Sequence, residues 1–234
     1  MPKRKDRVRT DKLFANLEQT ALVARSSSDV EESSNLATIA AQPIHFIADS
    51  SKIPRLKKFR FQLLHHWLVH TIESCSTADI GGGKGLLSYL LNQSSWSSTV
   101  IDPHPQPLPD KYKSIITGLR VKIDSVEKVA YFPVEFQPSL ACQFDLLIGL
   151  HAHGCNVKII DAAAQYGCGF VLFPCCVIDE PLFPPPGVHW LESLAGYAVN
   201  QGLDIHPFRL NFKGQNIGLF YPGKRLVPIP TKQQ

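Results

Sequence analysis

Hydrophobic positions along the chain follow two rhythms, and each change of rhythm marks an element. Leu56, Phe59, Leu63, Leu64, Trp67, Leu68 and Ile72 form one broad stripe at helical spacing, with Pro54 suited to the first turn. Residues 75–80 then form a short segment able to run as a buried strand, after which Leu86, Leu87, Leu90 and Leu91 return to helical spacing. A second strand is expected over 98–102. The alternating residues 119–123 predict a third, with Asp124 at its end. Residues 144–150 and 169–173 are near-continuous apolar runs, the pattern of strands covered on both faces. Between them Asn156 is expected to cap a helix through Val157, Ile159, Ile160, Ala163 and Ala164 that stops at Gly167. A loop over 181–187 leads to a helix with Trp190, Leu191, Leu194, Tyr197 and Ala198 on one face and Gly202 at its end. Two last strands, 204–212 and 216–221, are joined by Lys213-Gly214-Gln215, short enough for an antiparallel hairpin. This order predicts an α/β fold: a doubly wound, mostly parallel seven-stranded sheet with helices on both faces and a C-terminal antiparallel hairpin.

Length and composition fit one large domain: 234 residues, 44% hydrophobic, bury a sizeable core. The domain is expected over 41–225, with a C-terminal tail over 226–234. Residues 1–40 are polar and serine-rich, and read as a basic, largely disordered tail. Within that tail Leu13, Leu17, Ala21 and Val23 allow a short amphipathic helix that could dock on the domain or on a partner. The first twelve residues hold six Lys or Arg against two Asp, which accounts for the whole net charge of +4. Such an arm is either a solvated terminus or a source of salt-sensitive phosphate contacts to a nucleic acid. Arg55, Lys57, Lys58 and Arg60 give the 54–72 helix a basic face open to the same two readings. No run of about eighteen apolar residues and no secretory h-region occurs, so no membrane partner is expected and the location expected is cytoplasmic. In a reducing compartment Cys75, Cys142, Cys155, Cys168, Cys175 and Cys176 read as small buried residues rather than disulfides.

The chemistry centres on residues 79–85, Asp-Ile-Gly-Gly-Gly-Lys-Gly, between the first strand and its helix. Glycines there let the backbone approach a ligand, and helix N-terminal N–H groups attract a polar or anionic group. A phosphate-cradling P-loop requires Ser or Thr after Gly-Lys, but Lys84 is followed by Gly85. A dinucleotide fingerprint starting at Gly81 needs a small residue at 86, where Leu86 stands. Asp102 ends the second strand about twenty residues on, where an acid reaches a ribose.

The remaining pattern, Asp79-x-Gly81-x-Gly83-x-Gly85, resembles motif I of the class I S-adenosylmethionine-dependent methyltransferases, and the resemblance extends over about residues 55–221. It implies that Asp79, Gly81, Gly82, Gly83 and Gly85 pass under the methionine and ribose of S-adenosylmethionine. It further implies that Asp102 binds the ribose hydroxyls and that Asp124 lies near the adenine. It also implies the seven-stranded sheet with its last strand antiparallel.

Two clusters follow later strands: His151-Ala152-His153-Gly154-Cys155 and Pro174-Cys175-Cys176. Adjacent parallel strands would bring them together at the ligand-binding rim. The pair is similar to a methyltransferase subgroup with a His-Ala-Cys-Gly segment and a later Cys-Cys, itself similar to the family that 2′-O-methylates the tRNA acceptor stem. Here His153 replaces the first cysteine and Cys155 stands where that family has an acid. Three roles are open for the clusters. His151 or His153 could be a general base for a hydroxyl or amine acceptor. The side chains could ligate a metal, although their spacing is not that of a standard structural zinc site, and none is expected. Or they simply shape the pocket, since methyl transfer requires mainly an aligned acceptor. The acceptor expected is RNA, with tRNA foremost. A protein or small-molecule acceptor, or a methyltransferase-like binding module without catalysis, are the competing readings.

Overall fold

The computed structural model describes residues 4–26, 59–124 and 128–229. Its centre is a seven-stranded sheet of β1 (Ser76–Ile80), β2 (Ser97–Ile101), β5 (Ala130–Phe132), β6 (Leu146–Leu150), β7 (Gly169–Phe173), β8 (His206–Arg209) and β9 (Ile217–Tyr221). Their spatial order is β5-β2-β1-β6-β7-β9-β8. All neighbours pair in parallel except β9, which runs antiparallel to both β7 and β8. The expected mostly parallel sheet with a C-terminal antiparallel hairpin is therefore the observed one, a Rossmann-like fold. The chain winds outward from β1 through β2 to β5, then returns to the other side of β1 for β6. That reversal opens a crevice at the carboxyl ends of β1 and β6, where ligands of such sheets bind.

Alternation along the strands feeds two cores. Ala78, Leu147, Phe170, Leu172 and Leu219 pack with α1 (Arg4–Ser26), α4 (Asn156–Tyr166) and α5 (Trp190–Asn200) on one face. Leu146, Ile148, Val171, Phe173 and Phe220 pack with α2 (Arg60–Thr71) and α3 (Leu86–Asn92) on the other. In the second core the Trp67 ring stacks on Phe208 with centroids 4.2 Å apart, joining α2 to β8. The expected stripe of α2 is buried through Leu63, Leu64, Trp67 and Leu68. The part of that helix expected before Arg60, with Pro54, Arg55, Lys57 and Lys58, lies outside the described residues.

Four expectations are corrected. Residues 120–122 do not join the main sheet: β3 (Lys111–Lys113) and β4 (Arg120–Lys122) form a separate two-stranded ribbon, and β5 takes the place beside β2. Asp124 therefore does not end the sheet's third strand. Residues 4–26, expected within a largely disordered tail, form α1, so the short amphipathic helix allowed there is present, longer than expected and docked on the domain. Leu17 and Ala21 are buried, and Arg25 donates from Nε to Asp204 at 2.7 Å and from Nη2 to the Ile205 carbonyl at 3.0 Å. Arg209, in edge strand β8, donates to Asp11 at 2.6 Å and to the Thr10 carbonyl at 2.7 Å, so α1 shields an edge that would otherwise be open to pairing. Residues 226–229, expected as tail, pair back onto the fold through Glu73 N–H to the Val227 carbonyl at 2.8 Å and Ile229 N–H to the Thr71 carbonyl at 3.1 Å. Finally, the six cysteines are free, but Cys142 and Cys175 are exposed and only Cys168 is buried. Among the described residues no helix is long and apolar enough to cross a membrane.

Candidate functional site

The crevice holds a cavity of about 270 Å³ lined by Asp79, Gly81, Gly82, Gly83, Lys84 and Leu86 on one side and by Arg60, Phe61, Pro109 and Leu150 on the others. Asp79 comes at the end of β1 with 1% of its surface exposed. Its carboxylate accepts from Ser88 Oγ at 3.2 Å, and Ser88 Oγ accepts in turn from Ser98 Oγ at 2.9 Å, a chain linking β1, α3 and β2. Burial pushes its pKa from 3.8 up to about 7 against the opposing Ser88 hydrogen bonds. A carboxyl so poised gains most from a cation placed against it.

The glycines are required for two different reasons. A Cβ at Gly82 would lie 2.6 Å from both Cγ and Oδ2 of Asp79, so only glycine lets the chain fold over the buried acid. Gly83 has a φ of +55° and nothing within 4 Å of its Cβ position, which is cavity space that a side chain would fill. A Cβ at Gly81 would lie 3.3 Å from Ala152 Cβ, so the glycine loop runs close beside the loop after β6. Asp102 closes the loop from β2. One carboxylate oxygen accepts from Gly83 N–H at 3.0 Å and the other from His104 N–H at 2.9 Å. Each oxygen keeps a lone pair for a further donor. Tyr131, in β5, shares its one hydroxyl proton between the Gly83 carbonyl at 2.8 Å and the Gln106 carbonyl at 3.0 Å. Burial, with Asp79 and Asp102 nearby, raises its pKa to about 12 and keeps it neutral.

Asp79, Gly81, Gly82 and Gly83 thus share one cavity wall, with Asp102 bound to it and Gly85 starting α3 at a φ of +71°. Arg60 and Tyr131 escaped the sequence reading as site residues. Arg60 stood among four basic residues of one helix face, and nothing in the spacing singled it out. Arg60 lines the cavity, its Nε is buried without a hydrogen-bond partner, and burial lowers its pKa. Tyr131 belongs to a strand the pattern did not reveal.

Across the crevice, His151 follows β6 at a φ of +65°, its N–H donating to the Phe173 carbonyl at 3.3 Å and its ring edge-on to Phe212. It immediately follows Leu150 of the cavity wall and precedes Ala152, which would meet any side chain at Gly81. His153 is exposed, with Nε2 3.2 Å from Cys175 Sγ, and Cys175 Sγ is 3.6 Å from Cys176 Sγ. The two sequence clusters therefore meet at one rim. Cys155 is half-buried and is the residue before α4. Asn156 does not cap that helix as expected. Instead the buried Glu180 accepts from Asn156 N–H at 2.9 Å, Asn156 Nδ2 at 2.5 Å and Val157 N–H at 3.1 Å.

No family model matches the chain. Part of it is similar to two nematode proteins, each titled "Probable tRNA (uracil-O(2)-)-methyltransferase". The one from Caenorhabditis briggsae is 32% identical over 98 residues, and the one from Caenorhabditis elegans 33% over the same length. These stretches are 42% of this chain and 16% of each relative, so the chain spans about a sixth of the relatives it matches. Among solved structures, monomeric WbdD aligns over 85% of this chain and 51% of its own, with a TM-score of 0.39 and 11% identity.

Proposed function

We propose that this chain carries an S-adenosylmethionine-dependent methyltransferase domain whose acceptor is RNA, with tRNA as the first candidate. The observation that carries the reading is the pairing of opposite charges in one small cavity. Asp79 offers a buried carboxyl that an ammonium would hold ionised, and Arg60 offers an unpaired guanidinium donor for a carboxylate. An amino-acid zwitterion satisfies both. The space beside Gly83 accommodates ligand atoms where any side chain would intrude, and the spare lone pairs of Asp102 suit the paired hydroxyls of a ribose. The donor set therefore fits the cofactor that the glycine motif implies. At about 270 Å³ the cavity falls just under the roughly 300–1,000 Å³ of small-molecule pockets, so part of the ligand would extend into the open crevice.

When bound, S-adenosylmethionine would supply an electrophilic sulfonium methyl carbon open to attack by an acceptor oxygen, the C–S bond breaking as the O–C bond forms and a neutral thioether leaving. Phe61, Leu86 and Leu150 give the cavity an apolar part of its wall. His151 is the residue we assign to take the acceptor proton, because it adjoins that wall; His153 faces Cys175 instead. The local likeness to relatives titled tRNA (uracil-O(2)-)-methyltransferases supports RNA over protein or metabolite acceptors. Arg9 and Lys12 on the exposed side of α1 add cations suited to phosphates.

Calorimetric titration of the full chain with S-adenosylmethionine tests the cofactor: one-to-one binding is expected, and no heat at millimolar ligand would sink the reading. Labelled-methyl transfer into fractionated extract tests the acceptor. Label in RNA is expected, whereas label confined to protein or metabolites overturns that part. His151→Ala should lower transfer by about 10²–10⁴-fold with cofactor affinity unchanged.

A further inference from the structure

We propose that His153, Cys175 and Cys176 form a binding site for one soft divalent cation of the zinc class, with a fourth coordination position open to the crevice. Their ligand atoms all lie within 4.8 Å of one another. A tetrahedral ion about 2.3 Å from sulfur and about 2.0–2.1 Å from nitrogen sets its ligands roughly 3.8 Å apart for two sulfurs and roughly 3.6 Å apart for sulfur and nitrogen. The observed separations are 3.6 Å between the sulfurs and 3.2 Å from Cys175 Sγ to His153 Nε2. Small rotations of the exposed His153 and Cys175 side chains open these to full ligand spacing. Two thiolates and an imidazole also select soft or borderline ions over magnesium or calcium.

The loops bearing these side chains are fixed to each other. Gly154 N–H donates to the Ile178 carbonyl at 3.1 Å, and His151 N–H to the Phe173 carbonyl. A Cβ at Gly154 would come within 3.0 Å of Asp179, so glycine alone permits this approach. Glu180, by capping α4 from the other loop, clamps the same junction. His153 is thus held opposite the vicinal cysteines by two backbone hydrogen bonds and a buried carboxylate. The ligands come from two adjacent parallel strand ends, which is why the two clusters were expected to meet although their linear spacing is not that of a standard zinc site.

Charge is balanced as well. Binding a dication releases two thiol protons to solvent and leaves a neutral unit, so the Arg60 guanidinium within electrostatic reach of Cys175 opposes no net charge. Three protein ligands with one open position is the arrangement of catalytic rather than structural zinc. The site stands on its own geometry, whether or not the chain transfers methyl groups.

The test is cobalt titration of the full chain, stripped with a chelator and kept in a thiol-free reductant. One equivalent should bind with a thiolate-to-cobalt charge-transfer band, and zinc should displace it. Cys175→Ser and Cys176→Ser should each weaken the band and together abolish it, while Cys142→Ser, an exposed cysteine outside the cluster, should keep it. His153→Ala alters only an exposed side chain and should weaken binding by at least about tenfold, the loss typical of even an outer-shell partner. Absence of the band in the unaltered chain, its survival in the Cys175→Ser/Cys176→Ser double variant, or unchanged affinity in His153→Ala would each overturn the proposal.

Discussion

On the β1 side of the crevice, an acid is buried under a glycine and tied by two serines to a helix and a second strand. On the β6 and β7 side, two loops are pinned by backbone hydrogen bonds and by Glu180, while His153 and Cys175 remain exposed. The first side spends stability to hold a carboxyl in an unfavourable place. The second uses its buried carboxylate to satisfy helix donors, which stabilises the fold and leaves the reactive side chains outside. Strain concentrated at one wall and exposed nucleophiles at the other is what a pocket gripping one ligand firmly while meeting a second at its rim requires.

The largest expected effect tests the strained wall. The folded pKa of Asp79 is raised from 3.8 to about 7, so ionisation favours the unfolded chain. This contribution to stability is complete below pH 3.8 and declines as pH rises toward about 7, by at most about 4 kcal/mol. Urea midpoints across that range should fall, and Asp79→Asn should flatten the slope; an unchanged slope breaks the contrast. Next, Gly82→Ala drives a methyl group into the Asp79 carboxylate and should cost up to about 3 kcal/mol in thermal or urea unfolding. On the opposite side, Glu180→Ala removes a charged acceptor from three N–H donors and should cost about 2 kcal/mol. A loss under about 0.5 kcal/mol there would show that the second wall is not clamped as described. The smallest effect is Gly83→Ala, about 1 kcal/mol from its left-handed backbone and no clash. Gly83→Trp should fold nearly as well yet lose S-adenosylmethionine binding in a calorimeter, separating strain from occupancy.

The strained wall was legible in the sequence because its requirements are local: an acid, glycines at fixed steps and a helix must follow one another along the chain. The buried strands β6 and β7 were equally plain, since cover on both faces leaves a continuous apolar run. Strand β5 was not. Its three residues run exposed, half-buried, exposed, the same pattern as Arg120–Lys122, so alternation alone placed the third strand in the wrong segment and took Asp124 with it. Helix α1 had its signal in Leu13, Leu17 and Ala21, but basic and polar neighbours outweighed it, because the surface it packs on comes from the far end of the chain. Arg60 belongs to the same class, since its place at the cavity follows from topology, whereas the meeting of the His153 and Cys175 loops was already implied by two adjacent parallel strands.

That distance gives α1 a place in time as well as in space. Its hydrogen-bond partners Glu192, Asp204 and Arg209 lie 176 to 198 residues further on. At roughly 5–20 residues per second, a ribosome needs on the order of ten seconds or more to deliver them. Through that interval Leu13, Phe14 and Leu17 have no native surface to cover, and β8 cannot join the sheet until β9 has been made. Helix α1 is thus made long before it can dock, and the nascent chain carries a sticky, basic segment until β8 and β9 arrive.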